Sequence, residues 1–173
     1  MQQSCVVHIL KGGEHLLTLI NEILDLARIE AGHANLSIND VSLVSLFDEV
    51  SALIGPLAAK AEITLEMTMP SADMRARADY TRAKQALINL LSNAIKYNRA
   101  GGRVAVAAHP SSDGRIRVNV TDTGSGIPAE KQTDLFKPFS RLGAEATEIE
   151  GTGVGLALTK KLIEMMDGRI GLD

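Results

Sequence analysis

The sequence predicts an α+β fold, a two-layer α/β sandwich in which a mixed sheet carries helices on one face, preceded by a long bundle helix. Three observations point there. Apolar residues recur at helical spacing over residues 6–31, 41–61 and 79–97. They alternate with a period of two over 62–69, 74–78 and the pair 103–109 and 115–122. The two periodicities follow one another along the chain in an order that layers helices on a sheet.

The elements are justified in turn. In "VVHILKGGEHLLTLINEILDLARIEA" (6–31), Leu10, Leu17, Leu24 and Ala31 recur every seven residues, with Gly13, Ile20 and Ala27 in the companion position. Leu16 and Ile23 widen the stripe, which suits a helical bundle. Such a helix needs partners, and no other segment of this chain is a matching long helix. Gly12-Gly13 is a soft point, and Gly32 ends the helix as a left-handed cap. "LSI" (36–38) reads as a short strand and 41–61 as a helix that Pro56 kinks or divides. "EITLEMTM" (62–69) and "MRARA" (74–78) read as strands, and 79–97 as a helix followed by Gly101-Gly102. "RVAVAAH" and "RIRVNVTD" form a hairpin across "PSSDG". A glycine turn, a polar segment at 128–150, a second glycine turn and a helix at about 153–167 follow. "GRIGLD" reads as a strand at its beginning. No internal repeat or low-complexity segment is visible.

Composition narrows the function. The 173 residues carry a net charge of −3 with scattered basic residues, which argues against a nucleic-acid surface. There is no Trp, and only three Phe and two Tyr, so the core is aliphatic. No apolar run reaches the roughly 20 residues of a membrane span, and no signal peptide heads the sequence. The lone Cys5 cannot form an internal disulfide, which fits a reducing compartment.

The segment "KQALINLLSNAIKYNRAGG" (84–102) carries the first functional signal. Asn89, Asn93, Lys96 and Tyr97 lie at i, i+4, i+7 and i+8 and share one helix face, which Arg82 and Gln85 extend toward the helix start. Leu87, Leu90, Leu91, Ala94 and Ile95 take the opposite side. The polar side is expected to face water or a ligand, and asparagine is an unusual choice for a merely solvated helix face. Two glycine clusters add weight. In "DTGSGIP" (122–128), Gly124 and Gly126 permit positive φ and close backbone approach beside Asp122. In "EGTGVGLAL" (150–158), Gly151, Gly153 and Gly155 open a helix whose free N–H groups suit phosphate. The spacing is neither a Walker A loop nor the dinucleotide G-x-G-x-x-G.

In this order the segments resemble the ATP-binding catalytic domain of sensor histidine kinases, in the GHKL or HATPase superfamily shared with gyrase, the Hsp90 chaperone and the MutL repair protein. "NLLSNAIKYNRAGG" is similar to the family's N box, "DTGSGI" to its G1 box, "LFKPFSR" (135–141) to its F box and "GTGVGLAL" to its G2 box. "HILKGGEHLLTLINEILDLARIEAG" resembles the second helix of the dimerisation and phosphotransfer hairpin. The resemblance implies a Bergerat-type ATP-binding fold over residues 32–173, with its last strands cut short, and a partial dimerisation helix over 1–31.

It also implies roles. Asn93 would bind Mg²⁺, with Asn89 supporting the triphosphate side and a possible second metal ligand. Lys96 would neutralise phosphate charge, Tyr97 would lie near adenine or ribose, and Asp122 would accept from the adenine amino group. Gly124, Gly126 and Ile127 would border the base. Gly151, Thr152, Gly153, Val154, Gly155 and Leu156 would hold the phosphates. Residues 128–150 would form an ATP lid anchored by Phe136 and Phe139, with Lys137 and Arg141 near the γ-phosphate. ATP and Mg²⁺ are the implied cofactors. The implied partners are the protein's own hairpin, a second copy of the chain and the receiver domain of a response regulator, in the cytoplasm, without membrane contact by this stretch.

The resemblance stops at the phosphate acceptor. The family's acceptor histidine precedes an acidic residue and Arg-x-Pro-Leu, and none of His8, His15, His33 and His109 has that context. The expected function is therefore γ-phosphate transfer to a histidine outside this sequence, with no autophosphorylation by the stretch itself. Three readings compete. An ATPase switch of the gyrase type would carry a general-base glutamate where this chain has Asn89. A non-catalytic nucleotide-binding regulator would keep the same boxes. A purely structural α+β domain leaves the coincidence of polar stripe and glycine clusters without a cause.

Overall fold

The computed structural model describes residues 2–33, 35–141 and 151–172. Helix α1 (Gln2–Glu30) runs unbroken through Gly12-Gly13. Its end is a Schellman turn. Gly32 sits at φ +71°, its N–H reaches the Ile29 carbonyl, and the His33 N–H reaches the Arg28 carbonyl at 2.9 Å. The apolar stripe lies open on this helix, with Leu10 62%, Leu17 60% and Leu24 50% exposed. No helix among the described residues is long and apolar enough to cross a membrane.

Strand β1 (Asn39–Ser42) pairs antiparallel with β3 (Arg75–Ala78), and Val41 faces Ala76. The ladder begins one residue after the expected 36–38, and for a reason outside the local pattern. The Ser37 N–H is taken by the Asp79 carboxylate at 2.8 Å, and the Asn39 amide donates back to the Ser37 carbonyl. Helix α2 (Leu43–Lys60) is capped by Ser42 and continues through Pro56 without dividing. Pro56 is exposed, so the hydrogen bond it forgoes faces water.

Strand β2 (Thr64–Met67) runs parallel to β4 (Arg103–Pro110), which pairs antiparallel with β5 (Ile116–Asp122), in the order β2-β4-β5. The parallel pair requires a crossover, and α3 (Tyr80–Lys96) provides it. The sheet is mixed, as expected, although β1 and β3 form a separate two-stranded unit. Its inner face (Val104, Val106, Ala108) packs under Phe47, Val50 and Ile54 of α2 and Leu87, Leu91 and Ala94 of α3. After β5 come the short α4 (Ala129–Gln132) and α5 (Gly155–Met165), which lies against α3.

The expected terminal strand does not form within residues 168–172. Helix α5 ends in its own Schellman turn, with Asp167 at φ +58° and the Gly168 N–H on the Ile163 carbonyl. Arg115 then donates to the Asp167 carbonyl. These contacts hold residues 167 and 168, and residues 168–172 form no ladder on β5.

Asp79 is the pivot of this arrangement. It is buried, caps α3 by accepting from the Arg82 N–H, and holds the segment leading from α1 through Ser37. Burial alone would raise its pKa. The N–H groups of Ser37, Arg82 and Thr81 and the charge of Arg82 outweigh that and hold it below the usual aspartate value. A depressed folded-state pKa stabilises the fold above the unfolded value of about 3.9, and the contribution is lost as pH falls through the folded value. Asp79→Ala should cost about 1–2 kcal/mol at neutral pH, and Asp79→Asn should flatten the acid limb of stability below about pH 4. Urea midpoints measured across that pH range check both.

Candidate nucleotide-binding site

The end of α3, the turn after β5 and the start of α5 come together at the candidate site. Two glycines are dictated by close approach. A Cβ at Gly124 would lie 2.6 Å from the Tyr97 carbonyl oxygen and 2.8 Å from Asp122 Oδ1. That oxygen already accepts from the Gly124 N–H at 2.7 Å, closing the turn on itself. At Gly153, φ is +71° and a Cβ would meet the Phe139 backbone at 2.9 Å. The Phe139 N–H in turn donates to the Gly153 carbonyl at 2.9 Å.

The polar stripe of α3 divides into three parts. Arg82 and Gln85 reach Asp25 of α1, at 3.4 and 3.5 Å. Asn89 donates to the buried Thr159 hydroxyl of α5 at 2.7 Å, and its amide oxygen fills the space a Cβ would need at Gly155. The last turn is the part that meets the two glycine turns. There Lys96 Nζ lies over the Tyr97 ring at 5.2 Å and abuts Gly151, and Tyr97 is 38% exposed. The half-buried Asn93 amide makes no hydrogen bond among the described residues. The expectation that the whole stripe faces water or a ligand is thus corrected. A helix between two others must spend part of its polar face on them.

Contacts that the sequence reading missed join the first glycine turn to the end of α3. Thr123 Oγ1 donates to Asn98 Oδ1 at 3.1 Å and accepts from the Arg103 N–H at 2.9 Å. Gly102 leaves room for both, because a Cβ there would lie 2.2 Å from Asn98 Oδ1. The amide at 98 and the hydroxyl at 123 were the available signal, since both sit at the ends of elements that must meet.

Residues 78–173 match the family described as "Histidine kinase-, DNA gyrase B-, and HSP90-like ATPase". The chain belongs to that family. It is 40% identical over 99% of its length to the circadian input-output histidine kinase CikA of Synechococcus elongatus. It is similar to full-length ShkA crystallised with AMPPNP, at 31% identity and a TM-score of 0.80 over 98% of this chain and 35% of that one. It is also similar to histidine kinase ThkA in its complex with the response regulator TrrA, at 29% identity and a TM-score of 0.70 over 92% of this chain and 43% of that one. The chain spans 19% to 23% of the length of the first curated relatives it matches. The α+β fold and the likeness to histidine-kinase ATP-binding domains are both borne out.

The F box of this ATPase-family domain behaves unlike its expected role at one position. Phe136 is half-buried beneath Lys160 Nζ, 5.4 Å above its ring, and lines a cavity of about 260 Å³ with Leu26, Pro138 and Ala157. Phe139 is no anchor. Its φ of +64° and its bond to Gly153 turn the ring outward, and it is 62% exposed. Leu135, buried at 8%, is the second apolar hold. Lys137 is engaged by Asp134 at 2.5 Å, and Arg141 lies half-buried against Gly153. Residues 142–150 of the expected lid lie outside the described residues. Gly126 takes φ +70° in open space, half-buried Ile127 accepts from Gln132, Val154 is fully buried, and Leu156 is half-buried on α5.

Proposed function

We propose that this domain binds Mg-ATP and transfers its γ-phosphate to a histidine of a dimerisation hairpin, as the catalytic part of a two-component sensor kinase. One observation carries the reading. The last turn of α3 presents Asn93, Lys96 and Tyr97 between two glycine turns, one pressed on the Tyr97 carbonyl and the other on Lys96 Nζ. In this reading Asp122 receives adenine, Gly124, Gly126 and Ile127 leave room for it, and the turn at Gly151–Leu156 takes phosphate. The donor set fits Mg²⁺ at one asparagine. The Asn93 oxygen is a hard ligand with no described protein partner, whereas Asn89 gives its amide N–H to Thr159 and turns its oxygen against Gly155. The ion, when bound, would neutralise phosphate charge. The chain's own residues orient the nucleotide, and little covalent work falls to them.

Titration calorimetry with Mg-ADP is expected to give binding, and no heat at millimolar nucleotide overturns the reading. Incubation with labelled ATP and a separately supplied hairpin carrying its histidine is expected to label the hairpin. A hairpin that stays unlabelled favours a nucleotide-holding regulator. Steady ATP hydrolysis should stay near background, because Asn89 cannot take a proton from water. Several turnovers per minute would point to an ATPase switch.

The open stripe of α1 supports pairing with a second copy through a helical bundle. Similarity to ThkA, solved with TrrA, supports a response regulator as phosphate recipient. ATP is a cytoplasmic nucleotide, which supports that compartment for the domain.

A further inference from the structure

Helix α1 has two opposed faces. Leu10, Leu17, Ile20 and Leu24 form the open stripe, whereas Glu22, Asp25, Leu26 and Ile29 project from the other side. That second face rests on the catalytic domain. Thr152 Oγ1 donates to Glu22 Oε2 at 2.5 Å. The same hydroxyl accepts from the Val154 N–H at 3.2 Å, so Glu22 is wired to one amide of the second glycine turn. Asp25 receives Arg82 and Gln85, and Leu26 is the one buried residue among the described side chains of α1.

We infer that α1 is a nucleotide-sensitive latch, in which the Glu22 carboxylate docked on Thr152 opposes phosphate at the second glycine turn. This rests on the nucleotide-binding reading above. A hydroxyl has one proton, and Thr152 cannot donate it both to Glu22 and to a phosphate oxygen. A triphosphate on this turn would also lie near a carboxylate in a half-buried setting, where like charges repel more strongly than in water. The docked position of α1 and bound nucleotide therefore disfavour one another, and by linkage each weakens the other equally. The contact is small enough to release, with one buried leucine, the short Glu22–Thr152 hydrogen bond and the longer contacts of Asp25 with Arg82 and Gln85. Because the stripe lies on the opposite face, a bundle built on it survives undocking.

The test uses the whole chain. Glu22→Gln keeps the size of the side chain and removes its charge, and Asp25→Asn loosens the same contact from the next turn. Both are expected to bind Mg-ATP more tightly than the unaltered chain, by about fivefold or more in calorimetry. The gap between Glu22→Gln and the unaltered protein should narrow as salt rises. Hydrogen exchange at residues 22–30 should quicken on adding Mg-ATP to the unaltered chain. Equal affinities, with binding intact in all three proteins, overturn the latch and leave the nucleotide site standing. No binding by any of them overturns the site, and the latch with it.

Discussion

Gly124→Ala is expected to weaken Mg-ADP binding by about tenfold or more, with the fold retained. The added methyl would sit 2.6 Å from the Tyr97 carbonyl oxygen, and backbone cannot swing aside as a lysine tip can. Relief requires the 122–124 turn to lift from the end of α3, which separates Asp122 from Tyr97, the two groups assigned to the base. Such overpacking costs about 1–3 kcal/mol, and the local shift that reduces it is the one that opens the site. Gly126→Ala is the informative control. Its φ of +70° strains an alanine by about 1–2 kcal/mol, yet a Cβ there meets nothing within 4 Å. Stability should fall in both variants, but only Gly124→Ala should lose affinity out of proportion. Calorimetry paired with urea unfolding separates the two effects. Equal affinities in the two variants would mean that the contact with Tyr97 has no part in holding the base. By the same reasoning Gly151→Ala is mild, since the atom in its way is the mobile end of Lys96.

Phe47→Ala should lower the stability of the domain by about 3–5 kcal/mol. Phe47 is fully buried at the centre of the core shared by α2, α3 and the sheet, and it is the largest side chain there. With so few aromatics, the surrounding leucines, isoleucines and valines are branched and held in place, so the cavity collapses only in part. Against a typical domain stability of about 5–15 kcal/mol this is a large share. Leu53→Ala on the same helix should change stability by only about 0.5 kcal/mol, because Leu53 is 53% exposed. Urea unfolding should show a lowered midpoint with an unchanged slope for Phe47→Ala. A small loss there would mean that the sheet and α2 are less tightly joined than the packing indicates.

The helices, the hairpin and the two glycine turns were legible in the chain because each expresses the geometry of one element. An apolar residue every third or fourth position specifies the buried face of α2 and α3 whatever lies opposite. Gly124 and Gly153 were legible as glycines, although the reason for each, the Tyr97 carbonyl and the Phe139 backbone, was not. The first strand was misplaced because Ser37 answers to Asp79, 42 residues away. Phe139 was misjudged because its backbone, and not its apolarity, aims the ring.

Residue order alone settled that one helix would carry an amide-rich polar face with glycine turns downstream. Folding decided how that face is shared, because each part is claimed by whatever the third dimension brings against it. Asn89 meets Thr159, 70 residues on, and Arg82 meets Asp25, 57 residues back, and the candidate site is built on the last turn, with Asn93, Lys96 and Tyr97. A helical period fixes the direction of a side chain, while its partner is a property of the packed layers.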